Sequence, residues 1–267
     1  MPDVTLPSGL RLSYTDQGGV IDPPVVLLPG PTDSWRSYQP VLDRLPSEIH
    51  AVSFSQRGHG DSDKPRSGYR VEDFAGDVVP LLDALGIERA VLAGHSGSCL
   101  VARRVALDHP ERVAALLLEA SPATLRNDSQ LVDFVQQIAE MEDPISRDFA
   151  RSFITDTSSA DIGADLVSVL VAETLKVPAR VWRGTFAGLI EYDDVAQLVQ
   201  VQAPTLLIWG DADALISQDV QDQLVDLIPD ADLLVYRDVG HTPRWADPTR
   251  FASDLTRFVT RAADGQH

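Results

Sequence analysis

The stretch Val91-Leu92-Ala93-Gly94-His95-Ser96-Gly97-Ser98-Cys99-Leu100 constrains the fold more than any other part of the chain. A short apolar run meets a glycine-flanked serine and passes into helix-compatible sequence, so it reads as a strand, a tight turn and a helix. Such a turn exposes its serine and strains the backbone there while neighbouring segments pass close by, which requires small residues on both sides. Gly94 and Gly97 meet that requirement. A serine hydroxyl is a poor nucleophile alone; it needs a base to take its proton and donors for the oxyanion it creates. Because a bare Gly-x-Ser is common, those partners have to be sought elsewhere in the chain.

Strand and helix alternate on both sides of this turn. Val4 to Leu6 and Leu10 to Thr15, joined through Pro7-Ser8-Gly9, predict an antiparallel hairpin, and the apolar run Pro24 to Leu28, ending at Pro29-Gly30, suits a strand buried on both faces. A helix is expected over Trp35 to Leu45 and a strand over Ile49 to Phe54. Next come the glycine-rich turn Gln56-Arg57-Gly58-His59-Gly60-Asp61-Ser62 and a helix over about Val71 to Leu85, stopped by Gly86. Ala90 to Ala93 is the strand before Ser96, Ser98 to Asp108 the helix after it, and Val113 to Leu118 a further strand. The rhythm then breaks: residues 122–202 read as helices without strands, with Leu131, Phe134, Val135 and Ile138 at i, i+3, i+4 and i+7, a second stretch from Ile162 to Leu175 and a third from Pro178. It resumes with a strand over Pro204 to Trp209, a helix over Gln218 to Leu227, a strand over Asp232 to Tyr236 and a helix over Pro248 to Thr260. This order predicts an α/β fold: a mainly parallel eight-stranded sheet flanked by helices, built from residues 1–121 and 203–267, with a helical cap, residues 122–202, inserted in the core.

Length and charge narrow the partners. At 267 residues, 44% hydrophobic and 23% charged, the chain can bury the core of one large domain. Its formal net charge of -18 disfavours nucleic acid and anionic membranes through repulsion. The opening Met1-Pro2-Asp3-Val4-Thr5-Leu6 lacks the basic start and apolar core of a signal peptide, and no later run reaches the length of a membrane span, so a cytoplasmic location is expected. The single cysteine, Cys99, excludes an internal disulfide and reads as a small buried side chain, and no Cys/His cluster has zinc-site spacing. Monomer and homo-oligomer are equally open.

In an open parallel sheet the site lies beyond the carboxyl ends of the strands, which ranks the histidines as bases for Ser96. His50 precedes a strand, and His109 and His267 fall at a helix end and the chain terminus; all three suit structural or solvated roles. His59 sits in a glycine turn, and His95 neighbours Ser96 but points elsewhere because adjacent side chains diverge. His241, in Asp238-Val239-Gly240-His241-Thr242-Pro243 after the last strand, is the base chosen. The carboxylate that orients it is Asp213 of Trp209-Gly210-Asp211-Ala212-Asp213, since the spacing carries the chain past the turn before the acid appears; Asp211 competes as a solvated charge or a helix-side contact. The order Ser96, Asp213, His241 is that of the nucleophile-turn hydrolases.

With these motifs in this order the chain resembles the α/β-hydrolase superfamily, in particular its small, cofactor-free bacterial members with a helical cap. The resemblance implies a serine hydrolase needing no metal or organic cofactor, whose small-molecule substrate is an ester of small or medium apolar groups. It also implies an oxyanion hole made by the N–H of Gly97 and one from the loop after Pro29-Gly30. Pro31 stands where that second donor is usual and has no N–H, which leaves Thr32, through its N–H or hydroxyl, or a water. Ser98 replaces the closing glycine of the nucleophile motif, a minor change, and Ser55 stands where relatives often have aspartate, a structural one. Pro31, His95, Trp182, Phe186 and Leu189 are candidate substrate contacts, although helix-spaced aromatics also make ordinary core. Lactonase, carbon–carbon bond hydrolase and perhydrolase chemistry share the same triad. A slow-turnover ligand-binding or signalling protein is the alternative of another class.

Overall fold

The computed structural model describes residues 2–126, 128–158 and 161–265. Its eight strands are β1 (Asp3–Thr5), β2 (Arg11–Gln17), β3 (Ile21–Leu28), β4 (Ile49–Phe54), β5 (Ala90–His95), β6 (Val113–Glu119), β7 (Thr205–Gly210) and β8 (Ala231–Tyr236). They form one sheet in the order β1-β2-β4-β3-β5-β6-β7-β8, antiparallel at the β1·β2 and β2·β4 pairs and parallel elsewhere. The central strands are buried on both faces and alternate between two cores. Val26, Leu28, Leu92 and Leu116 face α2 (Val71–Ala84), α3 (Gly97–Asp108) and α8 (Gln218–Leu227). Val25, Leu27, Val91 and Leu117 face α1 (Gln39–Leu42) and α10 (Pro248–Ala263). Continuous apolar strands are what a parallel sheet covered on both sides requires.

One expected helix is broken. In place of a single helix over Trp35 to Leu45, a 3₁₀ turn at Trp35–Tyr38 precedes the short α1. Pro40 lacks the N–H that a continuous helix would use there and sits instead in the first turn of α1, where that N–H has no intrahelical partner anyway.

Between β6 and β7 the chain leaves the sheet for α4 (Ser129–Ile138), α5 (Arg147–Ser158), α6 (Ala164–Thr174) and α7 (Ala179–Glu191). The sequence did not single out α5 as a helix of its own. Phe134 of α4, Phe149 and Phe153 of α5 and Trp182 and Phe186 of α7 pack ring against ring, with Phe153 edge-on to Trp182 at 4.9 Å and Phe134 edge-on to Phe186 at 4.9 Å. Among the described residues no helix is long and apolar enough to cross a membrane.

The departure and return of this excursion are tied together by one side chain. Arg103 of α3 is fully buried; it donates to the carbonyls of Pro122 (2.7 Å) and Ala123 (2.9 Å), where the chain leaves, and to Asp194 (2.6 and 3.1 Å), where it returns. A guanidinium taken wholly out of water is tolerable only with such partners. Asp194→Ala leaves that charge unpaired and is expected to lower the unfolding free energy by about 3–5 kcal/mol in urea titrations. A loss below roughly 1 kcal/mol, the value of an ordinary exposed pair, would show that Arg103 is neutralised in some other way.

Candidate active site

Ser96 occupies the junction of β5 and α3 with φ 53° and ψ −126°, a region that side chains other than glycine visit only under constraint. Its N–H is held by the carbonyl of Glu119 on β6 (2.9 Å). The close approach of α3 explains Gly94: a Cβ there would lie 2.7 Å from the Ser98 carbonyl oxygen and 2.9 Å from the Cys99 nitrogen, both backbone atoms that cannot swing aside. As the residue before the first turn of α3, Ser96 also sits at the positive end of that helix.

The structure brings Ser96, His241 and Asp213 together. His241 Nε2 lies 2.9 Å from Ser96 Oγ, and His241 Nδ1 lies 2.8 Å from Asp213 Oδ2. The Asp213 side chain is fully buried, and its other oxygen accepts the N–H groups of Leu215 (2.8 Å) and Ile216 (3.1 Å), so both oxygens are committed. Because a carboxylate only accepts, Nδ1 carries the proton and Nε2 presents a lone pair to the serine. Gly210 permits this meeting, since a Cβ there would collide with the Val239 carbonyl in the loop that carries His241. Asp211 faces elsewhere: it accepts the N–H of Asp238 (2.6 Å) and pairs with Arg237 (3.1 Å).

A buried charge cluster beneath the triad had no local signature in the sequence. Arg244, in the short helix α9 (Pro243–Ala246), is wholly buried and donates to Asp33 (2.8 Å) and Glu119 (3.1 Å), while its backbone N–H donates to Glu119 (2.8 Å). Its guanidinium also lies 4.4 Å over the Trp245 ring. Burial pushes the Asp33 carboxyl up to about 6 despite Arg244, and raises Glu119 as well. His95 lies alongside. Its Nε2–H donates to the His241 carbonyl (3.1 Å), and burial, with the Arg244 charge, holds it well below the usual imidazole value and hence neutral. Its Nδ1 is buried without a hydrogen-bond partner.

The loop after β3 is a tight turn. Asp33 N–H donates to the Gly30 carbonyl (3.0 Å), Pro31 holds the first corner and Thr32 the second with φ 73°, the pattern of a type II turn. Pro31 packs over Gly97 together with Leu189. A cavity of about 400 Å³ opens on Ser96 and His241, and Pro31, Asp33, His95, Gly97, Phe186 and Leu189 line it. Trp182, an expected contact, does not, being fully buried behind Phe153 and Phe186, and the hydroxyl of Thr32, an expected oxyanion donor, is buried without a partner outside the lining. The positive φ turns Thr32 into the protein, and the ring size of Trp182 suits the aromatic core between helices. Ser98 does more than fill space. Its hydroxyl donates to the Pro29 carbonyl (2.6 Å), and Gln56 donates to both Ser98 and that carbonyl (2.9 Å each), fixing the strand end from which the Pro31 turn departs. Ser55 accepts the Trp35 N–H (3.2 Å), a structural role.

The remaining described histidines lie away from Ser96. His50 contacts Asp16 (3.1 Å), His109 ends α3 near Glu111, and His59 donates Nδ1–H to the Arg57 carbonyl (2.8 Å). His267 lies outside the described residues.

A family model described as "alpha/beta hydrolase fold" matches residues 23–248. The non-heme chloroperoxidase of Streptomyces lividans is 28% identical over 97% of this chain and 99% of its own. Among solved structures, the esterase RhEst1 from Rhodococcus sp. ECU1013 is 25% identical with a TM-score of 0.85, covering 97% of this chain and 98% of its own. Est816, described as an N-acyl homoserine lactone degrading enzyme, is 28% identical with a TM-score of 0.80, covering 96% and 100%.

His59 supplies a test of the buried polar geometry. Desolvation lowers it from 6.5 to about 4 in the fold, so between these values the unfolded chain binds the extra proton and stability falls as pH drops. Above the upper value its contribution is flat. His59→Asn is expected to remove up to about 3 kcal/mol of the acid-side loss, measured as the difference between wild-type and variant unfolding free energies at about pH 7 and about pH 4. His95, lowered in the same sense, is common to both proteins and cancels. Identical pH dependence of the two would show that His59 is protonated in the fold.

Proposed function

The chain belongs to the α/β-hydrolase fold family, and from that premise we propose that it is a serine hydrolase cleaving carboxylic esters of small or medium apolar groups. The observation that carries this reading is the unbroken hydrogen-bond chain from Asp213 through His241 to Ser96. Ser96 Oγ attacks the ester carbonyl carbon as His241 Nε2 takes its proton. The imidazolium is stabilised by the buried Asp213 carboxylate, which keeps the ring in the tautomer that can accept. Collapse of the tetrahedral intermediate breaks the bond to the alcohol oxygen, which leaves with the proton from His241 and forms an acyl-serine. A water deprotonated by the same nitrogen then attacks the acyl carbon, releasing the acid and restoring Ser96.

Negative charge on the carbonyl oxygen falls at the positive end of α3, beside the Gly97 N–H. A lactone is an internal ester that the same residues would open, and the likeness to Est816 favours that as a second substrate form.

Wild-type protein is expected to hydrolyse p-nitrophenyl acetate and butyrate and to be labelled by a fluorophosphonate, and Ser96→Ala to lose both; retained labelling or turnover in that variant would remove Ser96 as the nucleophile. Asp213→Asn reverses the tautomer preference and should cost on the order of 10⁴ in kcat. Asp211→Asn, whose native oxygens hold only Arg237 and the Asp238 N–H, should change kcat less than about tenfold. The opposite ranking would place the wrong carboxylate behind His241.

A further inference from the structure

The cavity over Ser96 carries a charge pattern that goes beyond the hydrolase reading and rests on it. Its walls are apolar: Phe134, Phe149, Phe153 and Phe186 descend from the inserted helices. The charges on its lining are of one sign. Asp128 and Asp156 stand on the inserted helices, Asp33 lies at the floor, and neither lysine nor arginine is among the described lining residues. Arg244 is wholly buried and outside the lining; its two terminal nitrogens are held by Glu119 and Asp33, and its Nε is buried without a hydrogen-bond partner. Asp128 is the N-cap of α4, with one oxygen on the Leu131 N–H (2.8 Å), so its carboxylate has a fixed place.

An anionic group entering this cavity would pass two carboxylates, lose its hydration against phenylalanine rings and end beside Asp33, whose partner Arg244 lies outside the lining, with no lining cation to pair. Each step is unfavourable, because an ion removed from water must be compensated by a partner charge or by donors. An uncharged chain or ring meets no such cost and is favoured by the apolar surface it buries. The net charge of -18 adds long-range repulsion of the same sign. We infer that the site selects esters whose cavity-bound arm is uncharged and apolar, and rejects those that carry a carboxylate on that arm.

The test compares two esters that share a leaving group and nearly share length: p-nitrophenyl butyrate and the mono-p-nitrophenyl ester of succinate, each with its enzyme-free rate at the assay pH subtracted, since the succinate carboxylate attacks its own ester to form the anhydride, and each then normalised to its own alkaline hydrolysis rate. At low ionic strength kcat/KM is expected to be at least roughly tenfold lower for the succinate ester. That gap should shrink threefold or more, on this order-of-magnitude expectation, in Asp128→Asn/Asp156→Asn and on adding about 0.5 M salt. Asparagine caps a helix as well as aspartate does, so the double variant keeps the α4 N-terminus. Equal or faster normalised turnover of the succinate ester would overturn the inference, as would a gap indifferent to both the substitutions and the salt. Turnover of neither ester would instead remove the hydrolase reading beneath it.

Discussion

The backbone of Ser96 is held at φ 53° and ψ −126°, and much of the molecule serves to keep it there. Conformations of this kind cost on the order of 1–3 kcal/mol and persist only where the surroundings over-determine them. Three constraints do so: β5 is paired on both sides with parallel strands, the Glu119 carbonyl holds the Ser96 N–H, and α3 packs so close to Gly94 that no side chain fits between. The result is a hydroxyl fixed in position before any substrate arrives, at the end of a helix whose dipole favours negative charge at that point.

Glu119 links this turn to the base. Its carbonyl holds the Ser96 N–H, while its carboxylate holds both the backbone and the guanidinium of Arg244, three residues beyond His241. His95, the register partner of Glu119 across β5 and β6, adds a second tie by donating to the His241 carbonyl. Nucleophile and base loop, far apart in sequence, are therefore referenced to one point on the sheet. The same logic appears at Arg103, which joins the two ends of the helical excursion that roofs the cavity. Buried ion pairs contribute little net stability, and their value lies in the geometry they impose, since leaving either partner alone is costly.

Features written in consecutive residues were legible in the sequence. The apolar runs gave the strands of the sheet, and Gly94-His95-Ser96, Gly210-Asp211-Ala212-Asp213 and Gly240-His241-Thr242-Pro243 gave the residues that the structure gathers in one place. Features that depend on residues distant in the chain were not legible. Asp33 and Glu119 lie 211 and 125 positions from Arg244, and nothing local to any of them marks the cluster. The helix α5 falls in the stretch read as helical but has no marked pattern of its own, because its polar residues, Arg147, Asp148, Arg151, Ser152, Thr155, Asp156 and Thr157, hide a thin stripe of Phe149, Phe153 and Ile154. Side-chain depth was also illegible: Trp182, Phe186 and Leu189 share a helix, yet only the latter two reach the cavity.

Pro31 has a local reason for its place in the chain. Proline presets the backbone angle for the first corner of a type II turn, and Ser98 and Gln56 pin the Pro29 carbonyl where that turn begins. The turn forces Thr32, a β-branched residue, into the left-handed region and buries its hydroxyl without a partner, so the loop is strained as well as rigid. Pro31 thereby brings rigidity to the wall over Gly97 and no N–H of its own.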